Sequence, residues 1–250
     1  MEAAEIVAEM DRIVSAARAE QIHLRVIGGL AVHYHSPRVR GREFGREYAD
    51  LDFVVRKHDR RKLESFFRNF GYLGDRNFNL VNGERRLLYI HPQTGRHIDI
   101  FVGDFEMCHK LPLRDRLDAH PVTIPLAELL LSKTQIVQLN RKDALDLVAL
   151  LLDNELSFHD ESKINLDRIL RLCRRDWGLY KTTTINLKRL EEILLRENPG
   201  LSDADTQLVL GRISQLRRAL QAMPTDILWK ARDRLGTRIR WYTEVEEVER

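Results

Sequence analysis

Three aspartates in apolar surroundings are the residues of this chain best suited to chemistry. Asp50 and Asp52 are separated by one residue and follow a glycine pair, Gly28-Gly29, by about twenty positions, whereas Asp99 stands between two isoleucines further on. Successive strand side chains point to opposite faces, so Asp50 and Asp52 share a face if this segment is a strand. Carboxylates are ligands that Mg²⁺ prefers, usually together with substrate phosphates. The pattern indicates a divalent-metal site.

The glycine pair stands between a predicted strand over residues 23–27 and a predicted helix over residues 30–35. Glycine lets another group approach the backbone closely, and the free N–H groups at a helix start can hold a phosphate. The alternative is a tight turn with no ligand. Beside three carboxylates, the pair predicts a phosphate-binding turn next to the metal.

The aspartates also have a simpler interpretation, as solvated residues on a half-exposed strand. Aspartate is depleted in strands, however, and like charges on one face repel each other unless a cation lies between them. We therefore favour the metal site for the three residues together.

The elements that must position these residues change in character along the chain. Pro125 separates a mixed first part from an almost purely helical second part. In the first part we predict a helix over 2–20, strands at 50–55, 78–81, 85–90, 96–102 and 121–124, a hairpin turn at Asn82-Gly83, and a helix over 60–70 with Asp59 as N-cap. In the second we predict helices over 126–139, 143–153, 163–176, 184–197, 203–222 and 225–241, with breaks near Gly178, Pro199-Gly200 and Pro224.

This order predicts an α+β protein in two parts. Residues 1–125 would form a mixed β-sheet core with flanking helices, and residues 126–250 a helical bundle that closes the active-site cleft.

Length and composition fit a folded protein with a sizeable core, since the chain has 250 residues of which 43% are hydrophobic, and a net charge of +3. Two cysteines give no disulfide framework, which favours a reducing compartment. No apolar run approaches the roughly 18 residues of a membrane span, and the first residues lack an apolar signal core. We expect a cytoplasmic protein without membrane contact.

Two charged residues of the second part occupy unexpectedly apolar positions. Lys133 interrupts the apolar stripe of the helix predicted over 126–139, and Asp146 lies in a helix that is apolar almost all round. Lys133 either extends along the surface to water or contacts phosphate in a cleft. A buried Asp146 needs a cation, for which Lys133, Arg141 and Lys142 are the candidates.

The glycine pair, Asp50-x-Asp52 and the later lone Asp99 resemble the signature of the polymerase-β-like nucleotidyltransferase superfamily, over roughly residues 22–153. The resemblance implies transfer of a nucleoside monophosphate from a nucleoside triphosphate to an acceptor hydroxyl, with Mg²⁺, or Mn²⁺ in its place. The first two acids would hold metal, and Asp99 would bind the second metal and serve as the candidate base. Gly29 stands where many members have serine.

The run from Ser132 to Leu147 is similar to the AbiEii-type branch, which includes toxins of toxin–antitoxin systems and has lincosamide-modifying relatives. This similarity implies that Lys133 contacts nucleotide phosphates, and that Asp143 and Asp146 hold basic residues in place. It also implies RNA as acceptor, particularly a tRNA 3′ end, and a cognate antitoxin as partner. The alternatives are an antibiotic acceptor, a protein acceptor, and a non-catalytic nucleotide-binding partner module.

Two arginine-rich stretches bear on the acceptor. The first joins the glycine pair to the aspartates and is either a solvated loop or a clamp for triphosphate or RNA; it contains Arg38, Arg40, Arg42 and Arg46, of which Arg42 and Arg46 are the candidate substrate contacts. The second is either an RNA-facing patch or an ordinary charged helix face; it comprises Arg168, Arg171, Arg174 and Arg175, followed by Trp177 and Tyr180.

Overall fold

The computed structural model describes residues 3–39, 48–197 and 199–244. These residues form two compact units. The first contains residues 3–34, 48–105 and 112–125, and the second contains 35–39, 106–111 and the described residues from 126 onward. The first unit holds a mixed β-sheet and the second consists mainly of helices, so the predicted α+β class is confirmed.

The first unit is built on a five-stranded sheet with the order β1-β2-β5-β4-β3. The strands are β1 Leu24–Val26, β2 Leu51–Val55, β3 Leu73–Gly74, β4 Arg86–Ile90 and β5 His97–Val102. The central pair β2–β5 is parallel and the other pairs are antiparallel. The predicted strand at 121–124 is reduced to a single bridge between Val26 and Thr123. β2 and β5 are buried apart from the half-buried Asp52 and His97, so Asp99 on β5 lies in the core.

Helices and aromatic rings fill the core of the first unit. The helices are α1 Ala3–Ala19, α2 Gly28–His35, α3 Leu63–Arg68 and α4 Arg76–Asn82. The apolar stripe of α1 is buried at helical spacing, as Ile6, Met10, Ile13 and Ala17 show. The ring of Phe67 packs 4.9 Å from the Tyr89 ring, centroid to centroid, and 6.4 Å from the ring of Phe53 on β2. These contacts fix the position of β2, the strand that carries Asp52.

The predicted strand at 78–81 and the predicted hairpin turn at Asn82-Gly83 are wrong, because this segment is helix α4. The Asp75 carboxylate caps the helix by accepting the Phe78 N–H at 2.9 Å. The alternation of apolar residues produced the strand prediction. In the structure the Asn79 side chain bonds both the N–H and the C=O of Leu88, at 2.7 and 3.0 Å, and so satisfies the β4 edge that a hairpin partner would have paired.

Asp59 is not the N-cap that the sequence pattern predicts. It lies inside a 3₁₀ turn, Lys57–Lys62, which precedes α3. Its carboxylate is 1% exposed and accepts the backbone N–H of His23 at 2.9 Å. A partner distant in sequence therefore outweighs the local capping preference.

The second unit contains helices α5 to α10 and several short elements. The helices are α5 Leu126–Thr134, α6 Arg141–Asp153, α7 Leu166–Arg175, α8 Trp177–Glu197, α9 Asp203–Ala222 and α10 Ile227–Leu235. The short strands β8 Leu156–Ser157 and β9 Ile164–Asn165 pair in parallel, and 3₁₀ turns cover Pro37–Val39 and Gly236–Arg238. Two further short strands are β6 Phe105–Glu106 and β7 Lys110–Leu111. Phe105 is the last residue of a first-unit segment, and residues 106–111 belong to the second unit. No described helix is both long enough and apolar enough to cross a membrane.

The predicted break near Gly178 is confirmed at Asp176, between α7 and α8. The predicted start of the following helix at residue 184 is wrong, because α8 begins at Trp177 and contains Gly178. Asp176 starts the helix by accepting the Leu179 N–H at 3.0 Å. A Cβ added at Gly178 would lie 2.9 Å from His109 Cε1 and would also meet the Trp241 carbonyl. The glycine serves close packing inside a helix and not a turn.

Candidate functional site

Two of the three predicted aspartates are direct neighbours in the sheet. Asp52 on β2 and Asp99 on β5 are register partners in the central parallel pair. Neighbouring strands lie about 4.8 Å apart, and opposed residues project to the same face. Asp99 is 3% exposed, whereas Asp52 and Asp50 are half-buried, and Asp50 immediately precedes the first residue of β2. Two carboxylates therefore lie side by side at the centre of the first unit.

The start of α2 lies against one of these carboxylates. Gly28, its first residue, has φ +72°, which is left-handed backbone, and a Cβ added there would lie 3.1 Å from Asp52 Cγ. The Ile27 N–H donates to the Asp52 carbonyl oxygen at 2.9 Å, which fixes this approach. Gly29 follows and is buried in the first turn of α2. The glycine pair and Asp52 thus belong to one local structure.

Gly28→Ala is expected to lower the free energy of unfolding by about 2–4 kcal/mol, because it combines left-handed strain with a clash against Asp52. The matched control is Gly95→Ala. Gly95 has φ +67° but no atom within 4 Å of an added Cβ, so it carries the strain without the clash. Urea unfolding of both variants measures the difference. Equal losses would contradict a close approach at Gly28.

Arg86 is a site residue that the sequence pattern did not reveal. Its Nε donates to Asp99 Oδ1 at 2.8 Å, and its terminal nitrogen contacts the other Asp99 oxygen. Arg86 stands opposite Phe101 in the β4–β5 register, which makes Asp99 its diagonal neighbour, and its guanidinium carbon lies 5.1 Å from the Phe101 ring centroid. Only that register, which pairs two strands, could have predicted the contact.

The electrostatics of the site centre on this arginine. Burial would lower the pKa of Arg86, but the hydrogen bonds and charge of Asp99, together with the charge of Asp52, hold its pKa above the usual value. The guanidinium therefore carries a full positive charge beside two carboxylates. A carboxylate offers about four acceptor sites, so an arginine that uses two of them does not exclude a metal ligand role for Asp99. The all-carboxylate donor set fits Mg²⁺.

Lys133 of the second unit lies in a buried ion-pair cluster. Its ammonium nitrogen is 2.8 Å from Asp143 Oδ1 and 2.8 Å from Asp146 Oδ2, and its residue is 8% exposed. Burial lowers the pKa of Lys133, but the charges of Asp146 and Asp143 outweigh this and raise it to about 12. Of the candidate cations for Asp146, Lys133 is the one in contact, whereas Arg141 pairs with Glu197 at 2.6 Å. Lys133 thus joins α5 to α6; its contact with phosphate stays a prediction.

Some arginines of the two arginine-rich stretches form ion pairs within the second unit. Arg42 and Arg46 lie outside the described residues. Arg38 binds the Asp205 carboxylate, and its backbone N–H donates to Asp153 at 3.0 Å. In the later stretch, Arg168 pairs with the buried Glu128 at 2.8 Å and Arg171 pairs with Asp167 on its own helix, whereas Arg174 and Arg175 are exposed.

A group of three potential metal ligands elsewhere in the first unit was not predicted. His23, His58 and Asp59 bring ligand atoms within 4.8 Å of one another in the first unit. Lys62 already lies 3.1 Å from Asp59 Oδ1, and His23 Nδ1 lies 3.1 Å from Oδ2. Arg18 and Arg25 line the same cavity. Since this surrounding is cationic, the group is best explained as an ion-paired contact between β1 and the 3₁₀ turn.

No protein-family model matches the chain, and no curated protein matches it. Among solved structures, the chain is similar to a crystal structure of an antigenic nucleotidyltransferase-like protein from Paracoccidioides brasiliensis. The two are 14% identical over 90% of this chain and 96% of that chain, with a TM-score of 0.46.

Proposed function

We propose that this chain is a metal-dependent nucleotidyltransferase, which moves a nucleoside monophosphate from a nucleoside triphosphate to an acceptor hydroxyl and releases pyrophosphate. One observation carries the proposal. Asp52 and Asp99 are neighbours on the central strands, and the glycine that starts α2 lies against Asp52. The same local structure thus offers carboxylates for a metal and backbone N–H groups for phosphate.

Each residue has a distinct role in this reaction. The N–H groups of Gly28 and Gly29 would seat the triphosphate at the start of α2, where the helix dipole favours negative charge. Asp50 and Asp52 would hold Mg²⁺, with Asp99 as a further ligand. Bound Mg²⁺ supplies positive charge to the phosphate oxygens on which negative charge develops.

Asp99 would also accept the proton of the attacking hydroxyl, as the acceptor oxygen forms its bond to the α-phosphorus and the bond to pyrophosphate breaks. Arg86 holds this carboxylate in a fixed orientation through two contacts. Because Arg86 acts through Asp99, we assign it as a positioning residue.

For the acceptor we propose RNA, with an antibiotic and a protein hydroxyl as the alternatives. Toxin activity and a cognate antitoxin belong to the RNA branch of the proposal and have the AbiEii-type resemblance as their support. A non-catalytic nucleotide-binding module is a second candidate function. The observation that favours it is the Arg86–Asp99 ion pair, which supplies a positive charge to Asp99 without any metal.

One experiment separates these possibilities. The purified protein is incubated with each α-labelled nucleoside triphosphate, with Mg²⁺ or Mn²⁺, and with total RNA, and the label is followed by gel electrophoresis. We expect label in RNA, in the tRNA size range. Label on protein, or on an added aminoglycoside or lincosamide, would select another acceptor. No label under any condition, with retained nucleotide binding, would select the non-catalytic module.

A further inference from the structure

A polar pocket in the second unit has no role in the proposed transfer chemistry. It lies at the start of α8 and has a volume of about 640 Å³. Its wall combines cationic and aromatic side chains, mainly Lys110, Arg175, Arg240, Trp177, Trp241 and Tyr242. We propose that this pocket binds one nucleotide of a single-stranded RNA, with the base stacked on Trp241 and the phosphate held by Arg175. The inference deepens the proposed function, since it gives the RNA acceptor a binding site.

The aromatic side of the pocket is fixed in position. The Trp241 indole N–H donates to Thr182 Oγ1 at 3.0 Å, and its ring lies 5.2 Å from the Tyr242 ring at 76°. Both residues are half-buried, so each keeps ring surface at the pocket. Stacking of a base on an aromatic side chain contributes about 1–3 kcal/mol and tolerates any base. A fixed and partly exposed tryptophan is therefore suited to an unpaired base.

The other tryptophan of the pocket wall, Trp177, is already covered by neighbouring side chains. The Trp177 indole N–H donates to Asp233 at 2.8 Å, and the Arg232 guanidinium covers the Trp177 ring with 4.0 Å between the guanidinium carbon and the ring centroid. The Thr243 N–H donates to the Cys108 carbonyl oxygen at 3.0 Å. Trp177 is thus already covered, and Trp241 is left as the stacking surface.

The floor of the pocket is a connected polar network. His109 Nε2 lies 2.8 Å from Thr182 Oγ1, the hydroxyl that also accepts the Trp241 N–H, and His109 Nδ1 lies 3.8 Å from Asp176. Burial lowers the pKa of His109, with Asp176 opposing in part, so the imidazole is neutral at pH 7. Gly178 leaves room for this imidazole. The floor is held rigidly, which lowers the entropy lost when a ligand binds.

The charges of the pocket suit a nucleotide better than a simple anion. Among the described residues Arg175 has no ion-pair partner, whereas Arg240 pairs with Glu244 at 2.8 Å. A phosphate can therefore bind the Arg175 guanidinium without breaking an existing ion pair. Asp176 and Glu106 also line the pocket, and carboxylates accept hydrogen bonds from the amino groups of a base. Because the Watson–Crick edge and the stacking face of a base are both free only in an unpaired, unstacked nucleotide, the fit is to single-stranded RNA.

Binding of the full-length chain tests the proposal. A fluorescein-labelled, unstructured oligoribonucleotide is titrated by fluorescence anisotropy at one fixed salt concentration, without nucleoside triphosphate or metal. The variants are Arg175→Glu and Trp241→Leu. Arg174→Glu is the matched control, since it makes the same charge change on the neighbouring exposed residue, which does not line the pocket. We expect Kd to rise about tenfold or more for Arg175→Glu and Trp241→Leu, and less than about threefold for Arg174→Glu.

Two results would overturn the proposal: an equal loss for Arg174→Glu and Arg175→Glu, or tighter binding to duplex than to single-stranded RNA. If Trp241→Leu fails to fold by circular dichroism, the arginine pair alone decides. Different results would contradict the transfer reaction and the RNA-binding pocket. RNA binding with the expected variant pattern but no label transfer would overturn only the enzyme, whereas label transfer to RNA that Arg175→Glu leaves unchanged would overturn only this pocket.

Discussion

Asp52→Asn is expected to reduce Mg²⁺-dependent nucleotide transfer by about 1,000-fold, which corresponds to about 4 kcal/mol of lost transition-state stabilisation. The substitution keeps the shape of the side chain but removes the charge that would hold the metal beside the start of α2. It also removes one of two negative charges near Arg86. The measurement is single-turnover transfer of label at saturating Mg²⁺.

The control for this variant is Asp75→Asn in the same unit. Asp75 caps α4, and asparagine is an equally good N-cap, so neither transfer nor stability should change by more than a small factor. Both variants should unfold in urea within about 1 kcal/mol of the parent, as expected for shape-conserving changes. If Asp52→Asn retains more than about a tenth of the parent rate, Asp52 holds no catalytic metal.

Lys133→Met is expected to lower the free energy of unfolding by about 3–5 kcal/mol, because it removes a buried cation that contacts two carboxylates. Asp146 is 3% exposed and lies 2.8 Å from the lysine nitrogen. Lys163→Met is the control: Lys163 forms an ion pair of similar length, 3.0 Å, with the exposed Glu155, and exposed pairs contribute at most about 1 kcal/mol. Urea unfolding gives both values, and equal values would contradict a buried cluster.

A triple variant separates the two roles of Lys133. Lys133→Met combined with Asp143→Asn and Asp146→Asn removes all three charges together, and should recover most of the lost stability. If this folded variant still transfers nucleotide at the parent rate, Lys133 acts only as the tie between α5 and α6. A folded variant with a raised KM for the nucleoside triphosphate would instead support the predicted phosphate contact.

The sequence predicted correctly those elements that are determined by neighbouring residues, such as helix caps and apolar strand segments. The helix predicted over 203–222 has those bounds in the structure, because Ser202 caps its start and Pro224 follows its end closely. The apolar flanks of Asp52 and Asp99 likewise predicted buried strands, and the structure makes these strands neighbours.

The errors come from partners that are distant in sequence. Asn79 satisfies the β4 edge from within a helix, and Asp59 accepts a backbone N–H from residue 23. Gly178 makes room for His109 inside α8, which begins seven residues before the predicted start at 184. Arg86 was missed for the same reason, since its partner Asp99 lies thirteen residues away and meets it only through the pairing of β4 with β5. None of these contacts has a signal in the pattern of its own segment.

The two compact units are interleaved along the chain. The second unit contains the segments 35–39 and 106–111, and also the described residues from 126 onward. These segments are bonded into their unit: the Asn154 side chain donates to the His35 carbonyl oxygen at 3.1 Å, and the His109 N–H donates to the Gln135 side chain at 2.8 Å. A gene fragment that ends at codon 125 would encode both segments without their partners. Neither unit is therefore encoded by one contiguous stretch of the gene, and an exchange at codon 125 would replace the partners of residues 35–39 and 106–111.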